Sequence, residues 1–163
     1  MGAPVVFFSF DGALNSYRWF KSHPCDGTYC AGAHVDPSAV ALLNRIVDVT
    51  GAELVRVNHW RLRCGHEQEW CPPRFDVVLK QRGFTGRVRG YTGHGETAAD
   101  QVKSWLRLQG NNQPSAFCIL DADSEMQDLE EFLVRTRPAL GLTEDDVCRA
   151  VALLGVPVLG GAT

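Results

Sequence analysis

The sequence has no excess of positive charge and no long apolar run. Its 163 residues include 16 Lys and Arg against 19 Asp and Glu, for a formal net charge of −3. Nucleic-acid-binding domains usually carry a clear basic excess, so this balance disfavours a nucleic acid partner. The apolar run near the N-terminus extends only from Val5 to Phe8 and follows no basic segment. We therefore expect no signal peptide and no membrane span, and predict a cytoplasmic protein.

The six cysteines are expected to be free thiols, because disulfides are rare in the cytoplasm. Cys118 and Cys148 lie within apolar patterns, which predicts that both are small residues of the core. Two further pairs of cysteines and one histidine leave a zinc site open as an alternative. These residues are Cys25, Cys30, Cys64, Cys71 and His66.

Strands alternate with helices along the chain, which predicts an α/β fold. The expected architecture is a three-layer, Rossmann-like domain spanning 1–163, with a mainly parallel five-stranded sheet and helices on both faces. The predicted strands are 5–8, 52–58, 87–91, 116–121 and 132–136. The segments 15–34 and 62–73 have no clear period, and we expect them to be irregular, lid-like loops.

Polar side chains follow three of the predicted strands. They are Ser9 and Asp11 after the first, Asn58, His59 and Arg61 after the second, and Asp121 and Asp123 at the end of the fourth. Parallel strands end at one edge of the sheet, where open α/β sheets bind ligands, so these groups are expected to converge. Two acids from different strands suit Mg²⁺. The alternative is that the acids only cap nearby turns and helices.

Five segments in a fixed order carry a family resemblance: 5–16, 50–61, 101–106, 119–124 and 133–143. The first reads Val-Val-Phe-Phe-Ser-Phe-Asp-Gly-Ala-Leu-Asn-Ser, and the fourth reads Ile-Leu-Asp-Ala-Asp-Ser. Together they resemble the haloacid dehalogenase (HAD) superfamily of phosphohydrolases. They are most similar to the small HAD domains of RNA-repair and viral proteins. The resemblance implies the HAD fold.

The resemblance also implies a mechanism that this chain does not fully support. HAD phosphohydrolases begin with Asp-x-Asp-Gly: the first Asp attacks phosphorus, and the second acts as general acid and base. Here the first position is Ser9 and the second is Asp11. Loss of the nucleophilic carboxylate removes the aspartyl-phosphate step. In the fourth motif Ala122 replaces an acid, so the Mg²⁺ site that the resemblance implies at Asp11, Asp121 and Asp123 is expected to be weak.

We therefore expect a HAD-like protein repurposed for non-phosphatase chemistry on a small organic ligand, with no required cofactor. The candidate catalytic residues are Asp11 and His59, which would form the acid–base pair, and Ser9 at the former nucleophile position. The ligand would be bound by four further residues: Asn58, Arg61, Lys103 and His94. Two alternatives stay open, a Mg²⁺-dependent HAD phosphatase and a non-catalytic domain that binds a ligand or partner. The sequence indicates no oligomeric state.

Overall fold

The computed structural model describes residues 1–23, 35–57, 72–93 and 95–155. Within these ranges five strands alternate with five α-helices, which confirms the predicted α/β class. The elements are β1 (Val5–Phe8), α1 (Tyr17–Ser22), α2 (Pro37–Thr50), β2 (Glu53–Arg56), α3 (Pro72–Gln81), β3 (Val88–Tyr91), α4 (Ala98–Leu108), β4 (Phe117–Asp121), β5 (Leu133–Arg135) and α5 (Glu144–Leu153). Two 3-10 helices, Gly110–Asn112 and Gln127–Phe132, flank β4.

The five strands form one sheet in the order β3-β2-β1-β4-β5, and every neighbouring pair is parallel. β1 lies at the centre, and Phe8 at its end is opposite Arg56 of β2 and Leu120 of β4. The chain first adds strands on one side of β1 and then crosses to the other side. The winding therefore reverses between β1 and β4, and ligands of open α/β sheets bind at such a switch point.

Side chains of β1 alternate between the two faces of the sheet, and each face has its own apolar layer. Val6 and Phe8 pack in the layer that contains α2, α3 and α5. Val5 and Phe7 pack in the layer that contains α4 and the 3-10 helix Gln127–Phe132. The helices thus cover both faces, which confirms the predicted three-layer arrangement. In the described ranges, no helix has the length and apolar character needed to cross a membrane.

The helix starts agree with local capping signals in the sequence. Asp36 accepts a hydrogen bond from the Ser38 amide at 2.8 Å, and Pro37 is the first residue of α2. Gly51 ends the same helix with a φ of +67°, a conformation that glycine adopts without strain. The Thr143 amide donates to the Asp146 carboxylate at 3.0 Å at the start of α5.

The prediction that segments 15–34 and 62–73 are irregular was partly wrong. Tyr17–Ser22 forms α1 inside the first of them, because the Ser16 hydroxyl accepts a hydrogen bond from the Trp19 amide and caps the turn. α3 begins at Pro72, inside the second, because proline is well suited to the first turn of a helix. Residues 24–34 of the first loop and 62–71 of the second lie outside the described residues.

The prediction for the two core cysteines was right for Cys118 and wrong for Cys148. Cys118 is fully buried in β4, whereas Cys148 is exposed on α5. The buried apolar residues of α5 are Val147, Ala150 and Val151, at helical spacing. Position 148 lies off that face, so an apolar pattern around it does not bury it.

These two thiols should react at very different rates with iodoacetamide in the native protein. Burial raises the pKa of Cys118 to about 12, so almost no thiolate is present near neutral pH. We expect peptide mass spectrometry to show alkylation of Cys148 in the native state and of Cys118 only after unfolding. Equal native labelling of the two peptides would contradict the burial of Cys118, and Cys148→Ser identifies the fast site.

Candidate functional site

A hydrogen bond joins the ends of β1 and β4 at the switch point of the sheet. The Ser9 hydroxyl donates to Oδ2 of Asp121, across 112 residues of sequence. The Ser9 amide also donates to the Leu120 carbonyl at 2.9 Å, which extends the β1–β4 pairing by one residue. Ser9 is partly buried, and Asp121 is buried. The structure therefore brings together these two of the predicted site residues.

The second oxygen of Asp121 holds the turn that follows β4. Oδ1 accepts hydrogen bonds from the backbone amides of Asp123 at 2.9 Å and Ser124 at 2.6 Å. Three donors thus point at one carboxylate, which satisfies a group that would otherwise be costly to bury. Asp123 itself is exposed and contributes its backbone, not its carboxylate, to this arrangement.

Asp11 is exposed, and among the described residues its carboxylate is hydrogen-bonded by a neighbour on its own turn. Its Oδ1 accepts a hydrogen bond from the side-chain amide of Asn15 at 2.9 Å, while the Asn15 oxygen accepts from the Gly12 amide at 2.8 Å. Asn15 is buried, so it fixes the carboxylate from below. In the sequence Asn15 is recognisable only as part of the opening motif, which does not indicate this orienting role.

Gly12 allows the β1 turn to pass directly against the turn after β4. Its φ of +75° is favourable for glycine, and a Cβ built on it would lie 2.4 Å from the Cβ of Ala122. Two carbon atoms cannot approach so closely. Small residues at both positions therefore allow the two turns to pack closely. Ala122 stands where the fourth motif has an acid.

The Lys103 side chain contacts the second 3-10 helix. Its ammonium group forms an ion pair with Asp128 and lies 3.4 Å from the side-chain oxygen of Gln127, both in the second 3-10 helix. The hydrogen bond from Lys103 holds the pKa of the exposed Asp128 carboxyl below its usual value. Lys103 is thus engaged with that helix rather than with Ser9, Asp11 or Asp121.

The remaining predicted site residues lie outside the part of the chain that the structure describes. These are Asn58, His59, Arg61 and His94, together with the four cysteines and the histidine considered for zinc. Within the described ranges, no three His, Cys, Asp or Glu side chains cluster in a way that could hold a metal ion. The Mg²⁺ site at Asp11, Asp121 and Asp123 stays a prediction.

A comparison with protein families identifies the fold independently of this geometry. Residues 5–147 match the family described as the HAD domain in Swiss Army Knife RNA repair proteins. The match covers most of the chain and all five strands. The chain belongs to this family. No curated protein and no solved structure gives a significant match.

This HAD domain has a second polar feature, a cleft of about 300 Å³ beside β3. Arg56 is 6% exposed, and its guanidinium carbon lies 5.0 Å from the centre of the Phe75 ring. Phe75 in turn packs against Phe10, the residue before Asp11, with ring centres 5.7 Å apart. The cleft is lined by Arg56, Phe75, Asp76, Val88, Arg89, Gly90 and Tyr91.

Sequence reasoning missed this cleft, although a signal was present. Arg56 stands in the apolar run Leu54-Val55-Arg56-Val57, where a charge is unexpected. Arginine is seldom buried without a partner, so a charged residue in this apolar run indicates a specific interaction in the fold. The cation–π contact with Phe75 supplies part of the explanation.

Gly12→Ala is expected to destabilise the domain strongly. The new methyl group would meet Ala122 and would also strain a residue with positive φ, for a combined loss of about 3 kcal/mol in the free energy of unfolding. Gly51→Ala is the matched control, since its φ is +67° and no atom lies within 4 Å of the added Cβ. It should lose only about 1 kcal/mol. Equal losses in urea unfolding would contradict the close packing at Gly12.

Asp76→Asn should change stability in a pH-dependent way. Burial raises the pKa of the Asp76 carboxyl, although Lys80 and Arg56 oppose the shift. Because the pKa is higher in the folded state, ionisation of this group at neutral pH costs stability, and the cost disappears as the carboxyl becomes protonated. The variant should therefore be more stable than the natural chain at neutral pH, with a difference that shrinks on acidification. Thermal unfolding across this range tests the sign, and a less stable variant at neutral pH would contradict it.

Proposed function

We propose that this HAD domain acts on a small organic ligand without forming an aspartyl phosphate. The observation that carries the proposal is the Ser9–Asp121 hydrogen bond, because the nucleophile position holds a hydroxyl that is already engaged. The Asp121 carboxylate accepts from this hydroxyl through Oδ2 and from two backbone amides through Oδ1, so it joins Ser9 to the turn after β4. We therefore assign Ser9 a structural role in this proposal and not that of a nucleophile.

Asp11 is the general acid–base in this proposal, with His59 as its partner. The Asp11 carboxylate is exposed at the carboxyl end of the central strand, and Asn15 fixes its orientation. An oriented, accessible carboxylate supports this role, because a general acid–base must reach the bound molecule to transfer a proton. Pairing with an imidazole would tune this chemistry to neutral pH. Asn58, Arg61 and His94 are proposed to bind the ligand, in a cytoplasmic setting.

The cleft beside β3 supports a small-molecule ligand. Its volume of about 300 Å³ is at the lower end of the range of such sites. Its apolar wall includes Phe75 and Val88, and its polar groups include Arg56 and Asp76. This mixture suits a ligand with one apolar part and one anionic or hydrogen-bonding group.

A second candidate function is a Mg²⁺-dependent phosphatase. The family description refers to RNA repair proteins. Phosphorylated RNA ends are therefore the first substrates to test. Asp11, at the acid–base position of the HAD motif, is also compatible with this activity. The weakened metal-ligand set and the serine at position 9 make it the less favoured candidate.

Phosphatase assays separate the two candidates. Nitrophenyl phosphate, nucleotides and 3′- or 5′-phosphorylated oligoribonucleotides should give no turnover that depends on Mg²⁺. Metal-dependent phosphate release that Asp11→Asn reduces by about 100-fold or more would overturn the proposal.

A thermal-shift screen tests whether the domain binds and converts a small organic ligand. Carboxylic acids, nucleosides and sugars are compared for their effect on the Tm, and each stabilising compound is then followed by mass spectrometry for conversion. We expect Asp11→Asn to abolish conversion while binding remains. Stabilisation without conversion would instead support the non-catalytic binding domain.

A further inference from the structure

HAD phosphohydrolases bind Mg²⁺ through the first Asp of the opening motif and the acids of the fourth motif. This cation requires oxygen lone pairs, and the switch point of this chain offers few. In this chain Oδ2 of Asp121 is occupied by the Ser9 hydroxyl, and Oδ1 by two backbone amides. Three of the roughly four lone-pair sites of this carboxylate thus accept hydrogen bonds, whereas a metal site would leave them for the cation.

The neighbouring positions do not make up for this loss. Ala122 puts a methyl group where the fourth motif has an acid, and this methyl is packed against Gly12. The residues present at the described part of the switch point therefore do not fit the cation that the fold family implies.

We propose that the Ser9–Asp121 hydrogen bond replaces that cation as the link between β1 and β4. The hydroxyl donates to the carboxylate that a cation would otherwise neutralise, so the side chains at the two strand ends stay joined without metal. It follows that Mg²⁺ adds nothing to the stability of the natural chain. It also follows that Ser9→Asp makes stability metal-dependent, because two carboxylates then face each other. The inference rests on the proposed function only in assigning Ser9 to the former nucleophile position.

Thermal unfolding of the full chain with EDTA, Mg²⁺ or Mn²⁺ tests this proposal. The Tm of the natural chain should be the same in all three conditions. Ser9→Ala should lower the Tm by about 5 °C in each of them, because it removes a hydrogen bond to a charged group. Ser9→Asp should have a lower Tm than the natural chain in EDTA and should recover when Mg²⁺ or Mn²⁺ is added.

Two control variants isolate the cause of any recovery. Ser9→Asn has nearly the shape of Ser9→Asp but is uncharged and can still donate to Asp121, so metal should not change its Tm. Adding Asp121→Asn to Ser9→Asp removes one of the facing carboxylates, and metal rescue should disappear. A Tm of the natural chain that rises with Mg²⁺ would overturn the proposal even if Ser9→Asp failed to fold. A folded Ser9→Asp variant that does not respond to either metal would also overturn it.

The readout separates this inference from the proposed function. Metal-dependent stability of the natural chain contradicts the hydrogen-bond replacement, whatever reaction the domain performs. Metal-dependent phosphate release with a Tm that is insensitive to metal contradicts the proposed function and leaves the structural link between β1 and β4 intact.

Discussion

The hydrogen bond between Ser9 and Asp121 connects the two strands between which the winding of the sheet reverses. The two described turns that follow these strands are arranged around it. Asp121 uses its other oxygen to hold the turn after β4, and that turn places Ala122 against Gly12. Gly12 in turn donates to Asn15, which orients Asp11. One buried carboxylate thus organises two turns and, through them, the accessible acid.

The sheet and the helix ends could be predicted from the sequence because their signals are local. The apolar run Val5–Phe8 and its counterpart ending at Asp121 mark strands buried on both faces, and both were found as strands. Asp36 with Pro37, Gly51 and Thr143 mark helix ends through bonds to residues only a few positions away. The order of the family motifs along the chain then indicated the HAD fold.

The contacts that give the site its character could not be predicted in the same way. The partner of Ser9 is 112 residues away, and no local pattern indicates that a hydroxyl and that carboxylate meet. The roles of Asn15 and Arg56 depend on which neighbours the fold provides. Cys148 shows the converse error, since an apolar neighbourhood in sequence does not reveal which side of a helix faces the core.

The serine at position 9 and the alanine at position 122 are best understood as one change in electrostatics. A HAD site gathers several carboxylates because a divalent cation neutralises them. Without the cation, two carboxylates in contact would repel each other, and one of them would have to be protonated or displaced. A hydroxyl at position 9 converts the repulsion into a hydrogen bond, and a methyl group at 122 removes a further charge. Asp11 is the acid that remains in the opening motif and it is exposed to solvent, which is why we propose it as the general acid–base.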